Sequence, residues 1–153
     1  MKTLIHRIAF YLRNFIRYIR RGGLVTVNLA TLFKGEVLKN KRVLITGGTS
    51  GIGYAVAKKF ISEGAKVLIT GRNEQRLDNA AKSLNGDVCT LLWDVADVSN
   101  SKEKIQKVVD LLGGLDILIN NAGVYTQDTF SLIDKTNWDF VMDTNIKGVF
   151  FLC

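Results

Sequence analysis

The feature that most constrains the fold is an alternation that begins at residue 42, in which short apolar runs rich in β-branched residues are separated by runs with helical periodicity. The predicted strands are 42–46, 66–70, 87–95 and 115–120. The predicted helices are 53–64, 73–84, 101–113 and 136–153, the last with Thr136 as its N-cap. Strands that are apolar on both faces and joined by helices indicate a parallel sheet covered on both sides. The pattern predicts a Rossmann-like, doubly wound α/β domain with about four parallel strands in the order 3-2-1-4.

The first 38 residues have a different character and are predicted to form a separate segment, with the α/β domain occupying residues 39–153. Residues 1–35 contain seven basic and no acidic residues, and apolar side chains recur at helical spacing through residues 1–21. This pattern predicts a basic amphipathic helix followed by a linker. Three roles stay open for it: peripheral contact with an anionic membrane surface, packing on the domain or a partner, and a cleaved import presequence.

Charge and cysteine content narrow the classes of function. The net charge of +7 comes from the amino-terminal segment, because residues 36–153 hold fourteen residues of each sign. The domain therefore gives no support for nucleic-acid binding. Two cysteines and one histidine make neither a disulfide framework nor a metal cluster, so we expect no metal and a reducing compartment. The predicted location is cytoplasmic, with membrane association through residues 1–21 as the open alternative.

A glycine-rich turn, TGGTSGIG at 46–53, joins the first predicted strand to the first helix. Glycines in such a turn let a pyrophosphate approach the free amides at the helix N-terminus, where the helix dipole favours negative charge. Tight strand-to-helix turns also need glycine for steric reasons alone. In a strand-turn-helix context the nucleotide-binding interpretation is the stronger of the two.

Two motifs together resemble the signatures of the short-chain dehydrogenase/reductase family. TGGTSGIG is similar to that family's TGxxxGxG loop, and NNAG at 120–123 is similar to its second signature, at the end of the fourth strand. The resemblance extends over residues 40–153. It implies an NAD(P)-dependent oxidoreductase that transfers hydride between a nicotinamide cofactor and a small-molecule carbonyl or alcohol. The loop residues it assigns to the cofactor pyrophosphate are Gly47, Thr49, Ser50, Gly51, Ile52 and Gly53.

The end of the second strand, TGRN, bears on which cofactor is used. NAD-preferring members of the family have an acidic residue where this chain has Gly71, and a carboxylate there would repel a 2′-phosphate. Arg72 follows directly, and its guanidinium is suited to pair with that phosphate. The resemblance therefore favours NADP over NAD. If Arg72 is only a solvated residue at the start of a helix, the choice stays open.

The remaining assignments also follow from the resemblance. Asp94 and Val95 match the pair that contacts the adenine, while Asn121, Ala122 and Gly123 match the segment beside the adenosine ribose. Asn145 matches the family's catalytic asparagine, which organises a water in the proton relay. Each has a structural alternative: Asp94 as a turn residue, 121–123 as a small-residue turn, and Asn145 as a surface residue.

The chain stops at Cys153, before the Ser and the YxxxK pair that carry proton transfer in the family. From the sequence we expect a truncated domain, inactive as a 153-residue chain, whose full-length parent is a homo-oligomer. The alternative function is a catalytically silent nucleotide-binding or scaffolding module, held at a membrane or partner by the basic helix.

Overall fold

The computed structural model describes residues 36–153, and its centre is a sheet of four parallel strands. The strands are β1 (Arg42–Ile45), β2 (Lys66–Gly71), β3 (Val88–Leu92) and β4 (Ile117–Ile119). Their order is β3-β2-β1-β4, so the predicted order is confirmed. The register places Val43 of β1 beside Val67 on one side and Ile117 on the other.

Helices connect the strands and continue beyond β4. They are α1 (Gly51–Ser62), α2 (Glu74–Leu84), α3 (Ser101–Leu112), α4 (Lys135–Met142) and α5 (Gly148–Leu152), with a π-helical segment at Asp143–Lys147 between the last two. Short 3-10 helices lie at Val98–Asn100 and Phe130–Leu132. Each strand-to-strand connection within the sheet thus passes through a helix, with α1, α2 and α3 serving the three crossovers.

The core consists of two layers, one on each face of the sheet. Val43 and Ile45 of β1 pack with residues of α1 and α2, whereas Leu44 packs with residues of α3. The side chains of β1 alternate between the faces because successive residues of a strand point in opposite directions. Each fully buried Leu, Ile or Val side chain stabilises the fold by about 1.5–3 kcal/mol relative to exposure. The two-sided burial confirms the doubly wound, Rossmann-like fold.

Several element boundaries differ from the sequence prediction; the first helix, for example, is Gly51–Ser62 rather than 53–64, and the fourth strand is Ile117–Ile119 rather than 115–120. The Thr136 cap was wrong: the Asp134 carboxylate accepts from the backbone N of Asn137, so Asp134 is the N-cap and Thr136 lies in the first turn. β3 ends at Leu92, because the chain turns at Asp94, whose carboxylate accepts from the backbone N of Ala96. The predicted helix 136–153 is interrupted by the π-helical segment.

The predicted basic helix at 1–21 lies outside the described residues, and the domain boundary at residue 38 stays a prediction. Within residues 36–153, no helix combines the length and the apolar character needed to cross a bilayer.

Candidate functional site

A cleft of about 410 Å³ lies at the carboxyl ends of the strands. Its walls come from the loop after β1, the ends of β2 and β3, the loop after β4 and the π-helical segment. In open α/β sheets this is where the strand order reverses and where ligands bind. The volume falls within the range of about 300–1,000 Å³ that is typical of small-molecule sites.

Thr46 and Asn121 tie the ends of β1 and β4 together, and we call this pair the β1–β4 clamp. The Asn121 side chain donates from Nδ2 to the carbonyl oxygens of Thr46 and Gly47, at 3.0 Å each. In return, Thr46 Oγ1 accepts from the backbone N of Asn121 at 3.1 Å and of Ala122 at 3.0 Å. The clamp fixes the floor of the cleft, and it explains why β4 ends at Ile119.

The glycine loop has the backbone geometry that its sequence predicts. Gly47 and Gly51 have φ values of 66° and 57°, in the left-handed region that side chains disfavour. Gly53 is required for close approach instead, since a Cβ there would lie 2.4 Å from Asn121 Nδ2 and 2.5 Å from the Gly47 carbonyl oxygen. The loop therefore packs tightly against the clamp, while the space beside Gly51 stays open.

The start of α1 leaves its amides available to a ligand. Ser50 is the N-cap residue, but its side chain caps none of the first-turn N–H groups, and the first turn contains no acidic residue. The side chain of Ile52 is 77% exposed. A helix end with uncapped N–H groups and no carboxylate of its own is suited to an anion.

The rim of the cleft at the end of β2 carries two arginines, Arg72 and Arg76. Asn73 caps α2 by accepting from the backbone N of Arg76 at 2.9 Å, and Arg76 Nη2 donates to Ser50 Oγ at 3.4 Å. Gly71 packs so closely that a Cβ would lie 2.8 Å from the Thr49 methyl group. The rim is therefore positively charged beside Gly71, where an acidic residue would repel a phosphate.

The opposite wall is formed by Asp94, Val95 and the last helical region. One oxygen of the Asp94 carboxylate accepts from the backbone N of Ala96, at 3.0 Å. Val95 is buried, and a Cβ on Gly148 would lie 2.6 Å from its carbonyl oxygen. The glycine three residues after Asn145 is thus needed for the helix to pack against this wall.

Two hydroxyl groups in the wall have no hydrogen-bond partner. Thr70 and Thr144 are 1% and 4% exposed, both line the cleft, and both Oγ1 atoms are buried and unpaired. Leaving a buried hydroxyl unpaired costs about 1–3 kcal/mol. An ordered water beside either hydroxyl would offset this cost.

Asn145 lies in the π-helical segment, and its side-chain amide is paired with the backbone of Val124. Nδ2 donates to the Val124 carbonyl oxygen at 2.8 Å, and Oδ1 accepts from the Val124 N at 2.9 Å. Asn145 thereby holds the loop that follows the NNAG motif. It does not line the cleft itself, and its predicted role in proton relay stays a prediction.

Most of the predicted site residues meet at this one cleft. Those that line it are Gly47, Thr49, Ser50, Arg72, Asp94, Val95, Asn121, Ala122 and Gly123. Gly51, Ile52 and Gly53, in the first turn of α1, and Asn145, in the π-helical segment, are not among the lining residues. Sequence reasoning missed lining residues that depend on packing, namely Thr70, Asn73, Arg76, Trp93, Val124 and Thr144. Of these, only Arg76 had a sequence signal, because Asn73 is a good N-cap and places Arg76 in the first turn of α2.

The fold and the cleft together define a parallel α/β protein of the nucleotide-binding type. Residues 41–153 match the profile of the short chain dehydrogenase family. The chain therefore belongs to the short-chain dehydrogenase family of oxidoreductases, as the two motifs indicated.

Individual relatives agree with this assignment. An uncharacterized oxidoreductase of Staphylococcus epidermidis is 39% identical over 111 residues, which are 72% of this chain and 48% of the relative. The 3-oxoacyl-[acyl-carrier-protein] reductase of Chlamydia pneumoniae is 34% identical over 119 residues, 76% of this chain and 48% of the relative. A short chain dehydrogenase from Burkholderia cenocepacia, solved in complex with NADP, superposes with a TM-score of 0.71 at 30% identity, covering 75% of this chain and 49% of that one. The chain thus spans about half the length of the curated relatives it matches.

Proposed function

We propose that residues 36–153 form the NADP(H)-binding part of an oxidoreductase that interconverts a small-molecule carbonyl and an alcohol. The observation that carries the proposal is the end of β2, where Gly71 leaves no carboxylate and Arg72 lines the cleft. A guanidinium can donate two parallel hydrogen bonds to a phosphate, whereas a carboxylate at Gly71 would repel it.

The residues present fit a dinucleotide phosphate. The open, uncapped amides at the start of α1 would hold the pyrophosphate, and Arg72 would hold the 2′-phosphate. Asp94 and Val95 would contact the adenine, with the unpaired hydroxyl groups of Thr70 and Thr144 in the same wall. Asn121, Ala122 and Gly123 would border the adenosine ribose. When bound, the nicotinamide supplies the hydride chemistry, and the chain supplies binding and orientation.

The relatives support this assignment at the level of class. The Burkholderia cenocepacia structure contains NADP, and the Chlamydia pneumoniae relative is named as a reductase. Carbonyl or alcohol substrates, homo-oligomer formation, a cytoplasmic location and membrane contact through residues 1–21 are part of the proposal for the whole protein. The silent nucleotide-binding module stays the alternative, and activity of the whole protein separates the two.

The test is a comparison of NADPH and NADH binding to the purified full chain, followed by tryptophan fluorescence. Trp93 is 3% exposed and lines the cleft, whereas Trp138 is 56% exposed and lies in α4. A Trp138→Phe background leaves Trp93 as the only tryptophan and makes the signal local to the site.

We expect saturable NADPH binding that is at least about tenfold tighter than NADH binding, since a hydrogen bond to a charged group contributes about 1.5–3 kcal/mol. Arg72→Ala should remove most of this difference by weakening NADPH alone. Lys58→Ala is the matched control, because Lys58 is an exposed cation on α1 outside the cleft. Equal binding of both cofactors, with no effect of Arg72→Ala, would refute the NADP assignment; binding of neither would refute the proposed function.

A further inference from the structure

We propose that Arg76 is a second specificity-determining residue, which binds the 2′-phosphate of the cofactor together with Arg72. The inference rests on the proposed function and goes beyond it, because the sequence motifs assign no role to residue 76. In this scheme the Arg76 guanidinium exchanges its contact with Ser50 for a stronger one with the phosphate.

The first argument is the placement of the side chain. The backbone of Arg76 is held by the Asn73 cap in the first turn of α2, and its side chain reaches back across the rim to Ser50. Arg72, just after β2, and Arg76, in the first turn of α2, therefore line the same cleft. The Arg76 to Ser50 contact, at 3.4 Å, is long for a hydrogen bond and is made to a neutral hydroxyl. A phosphate oxygen is the better acceptor for a guanidinium.

The second argument is the pairing of charges. In the part of the chain that the structure describes, neither Arg72 nor Arg76 forms an ion pair, although other cations do, such as Arg42 with Asp116 and Lys59 with Glu63. Asp94 is the only carboxylate among the residues that line the cleft, and one of its oxygens is engaged by the Ala96 backbone. Two unpaired guanidinium groups in a region whose formal charges balance make a local site for a dianion.

The third argument is the number of donors. A phosphate monoester presents three terminal oxygens, and one planar guanidinium can face only two of them. A second guanidinium from a different direction would satisfy the remaining acceptor. The pyrophosphate has a separate candidate site at the start of α1, so the rim arginines are left for the 2′-phosphate.

The experiment compares ligands that differ only in the 2′-phosphate. Binding of NADPH and NADH, and of 2′,5′-ADP and 5′-AMP, is measured for the full chain and for Arg76→Ala, Arg76→Lys and Arg72→Ala. Lys82→Ala is the matched control, since Lys82 is an exposed cation at the other end of α2. Urea unfolding of each variant verifies that the fold is retained, which we expect because Arg76 is exposed.

We expect Arg76→Ala to weaken NADPH and 2′,5′-ADP by about 5- to 30-fold while NADH and 5′-AMP change by less than about twofold, because the lost contact is charge-assisted but solvent-exposed. Arg76→Lys should lose less, as it keeps the charge. The Arg72→Ala and Arg76→Ala effects should be non-additive in the double variant, because both groups share one phosphate.

Two results would overturn the inference and leave the proposed function standing. If Arg76→Ala weakens NADPH and NADH equally, then Arg76 only positions the glycine loop through Ser50 or contacts the pyrophosphate. If Arg76→Ala changes nothing while Arg72→Ala abolishes the NADPH preference, then Arg76 is not part of the site. If the unsubstituted chain binds no 2′-phosphorylated ligand more tightly than its counterpart, both the inference and the NADP assignment fail.

Discussion

Replacing Thr46 with valine tests whether the β1–β4 clamp is held by hydrogen bonds or by packing. Thr46 is 1% exposed, and its hydroxyl oxygen accepts from two backbone N–H groups, those of Asn121 and Ala122. Valine keeps the volume and both branches at Cβ but removes this acceptor. Each N–H group left without a partner costs about 1–3 kcal/mol. Since both donors belong to half-buried residues, water can compensate in part, and we expect a loss of about 2–4 kcal/mol.

Thr46→Ser is the matched control, because it keeps the hydroxyl and removes only the methyl group. The expected loss is about 1 kcal/mol for one buried methyl. The assay is urea unfolding of the full chain, monitored by circular dichroism. The urea midpoints of the variants are compared where the dependence of the unfolding free energy on urea concentration is the same. A packing account predicts the opposite order, in which valine is harmless and serine is costly. If Thr46→Val proves as stable as Thr46→Ser, or more stable, the reasoning about the clamp is wrong.

Further substitutions separate steric, electrostatic and polar effects, and each is measured by urea unfolding of the full chain. Gly53→Ala should destabilise the fold by about 1–3 kcal/mol, because the added methyl group would overlap the clamp. Gly51→Ala should destabilise it by about 1–2 kcal/mol, because residue 51 has open space around it but a positive φ. If either variant is as stable as the parent, the steric argument for that glycine is wrong. Hydrogen bonds from Arg42 lower the pKa of Asp116, so the contribution of Asp116 to stability is present above about pH 4 and is lost as the pH falls further. The urea midpoint of Asp116→Asn should therefore depend less on pH than that of the parent between about pH 5 and pH 3. The same pH dependence in both proteins would refute the assignment. Thr144→Val should leave the fold as stable or more stable, because it removes an unpaired buried hydroxyl. Marked destabilisation would show that the hydroxyl has a partner.

The fold was predictable because its signal is local and repeated. The runs 43–45 and 67–69 are apolar at every position, which a sheet covered on both faces accommodates. The ends of elements were less predictable, since they depend on competition between neighbouring residues. Asp134 and Thr136 are both acceptable N-caps, and the sequence does not reveal that the Asp134 carboxylate reaches the Asn137 amide.

The site was predictable where a motif fixes backbone geometry and unpredictable where contacts span the chain. The glycine loop requires positive φ values at two positions and a close approach of neighbouring atoms at Gly53, and few residues other than glycine allow either. The glycines in the sequence therefore predict the conformation of the loop. The π-helical segment has no such signature, because it accompanies a pairing between Asn145 and Val124, 21 residues apart. The unpaired hydroxyl groups of Thr70 and Thr144 likewise meet at the cleft only through packing.

The cleft contains residues that hold the fold together and residues that are exposed at its rim, and substitutions at the two kinds have different effects on stability and on ligand affinity. Thr46, Asn121 and Gly53 are packed or bonded into the fold, so any substitution there changes stability and ligand binding together. Arg72 and Arg76 are exposed and form no ion pair within residues 36–153, so removing either charge should leave the free energy of unfolding nearly unchanged. Differences in affinity at the rim therefore report on the ligand alone. Under the proposed function, selectivity for the 2′-phosphate can accordingly change through the rim residues while the clamp and the glycine loop stay constant.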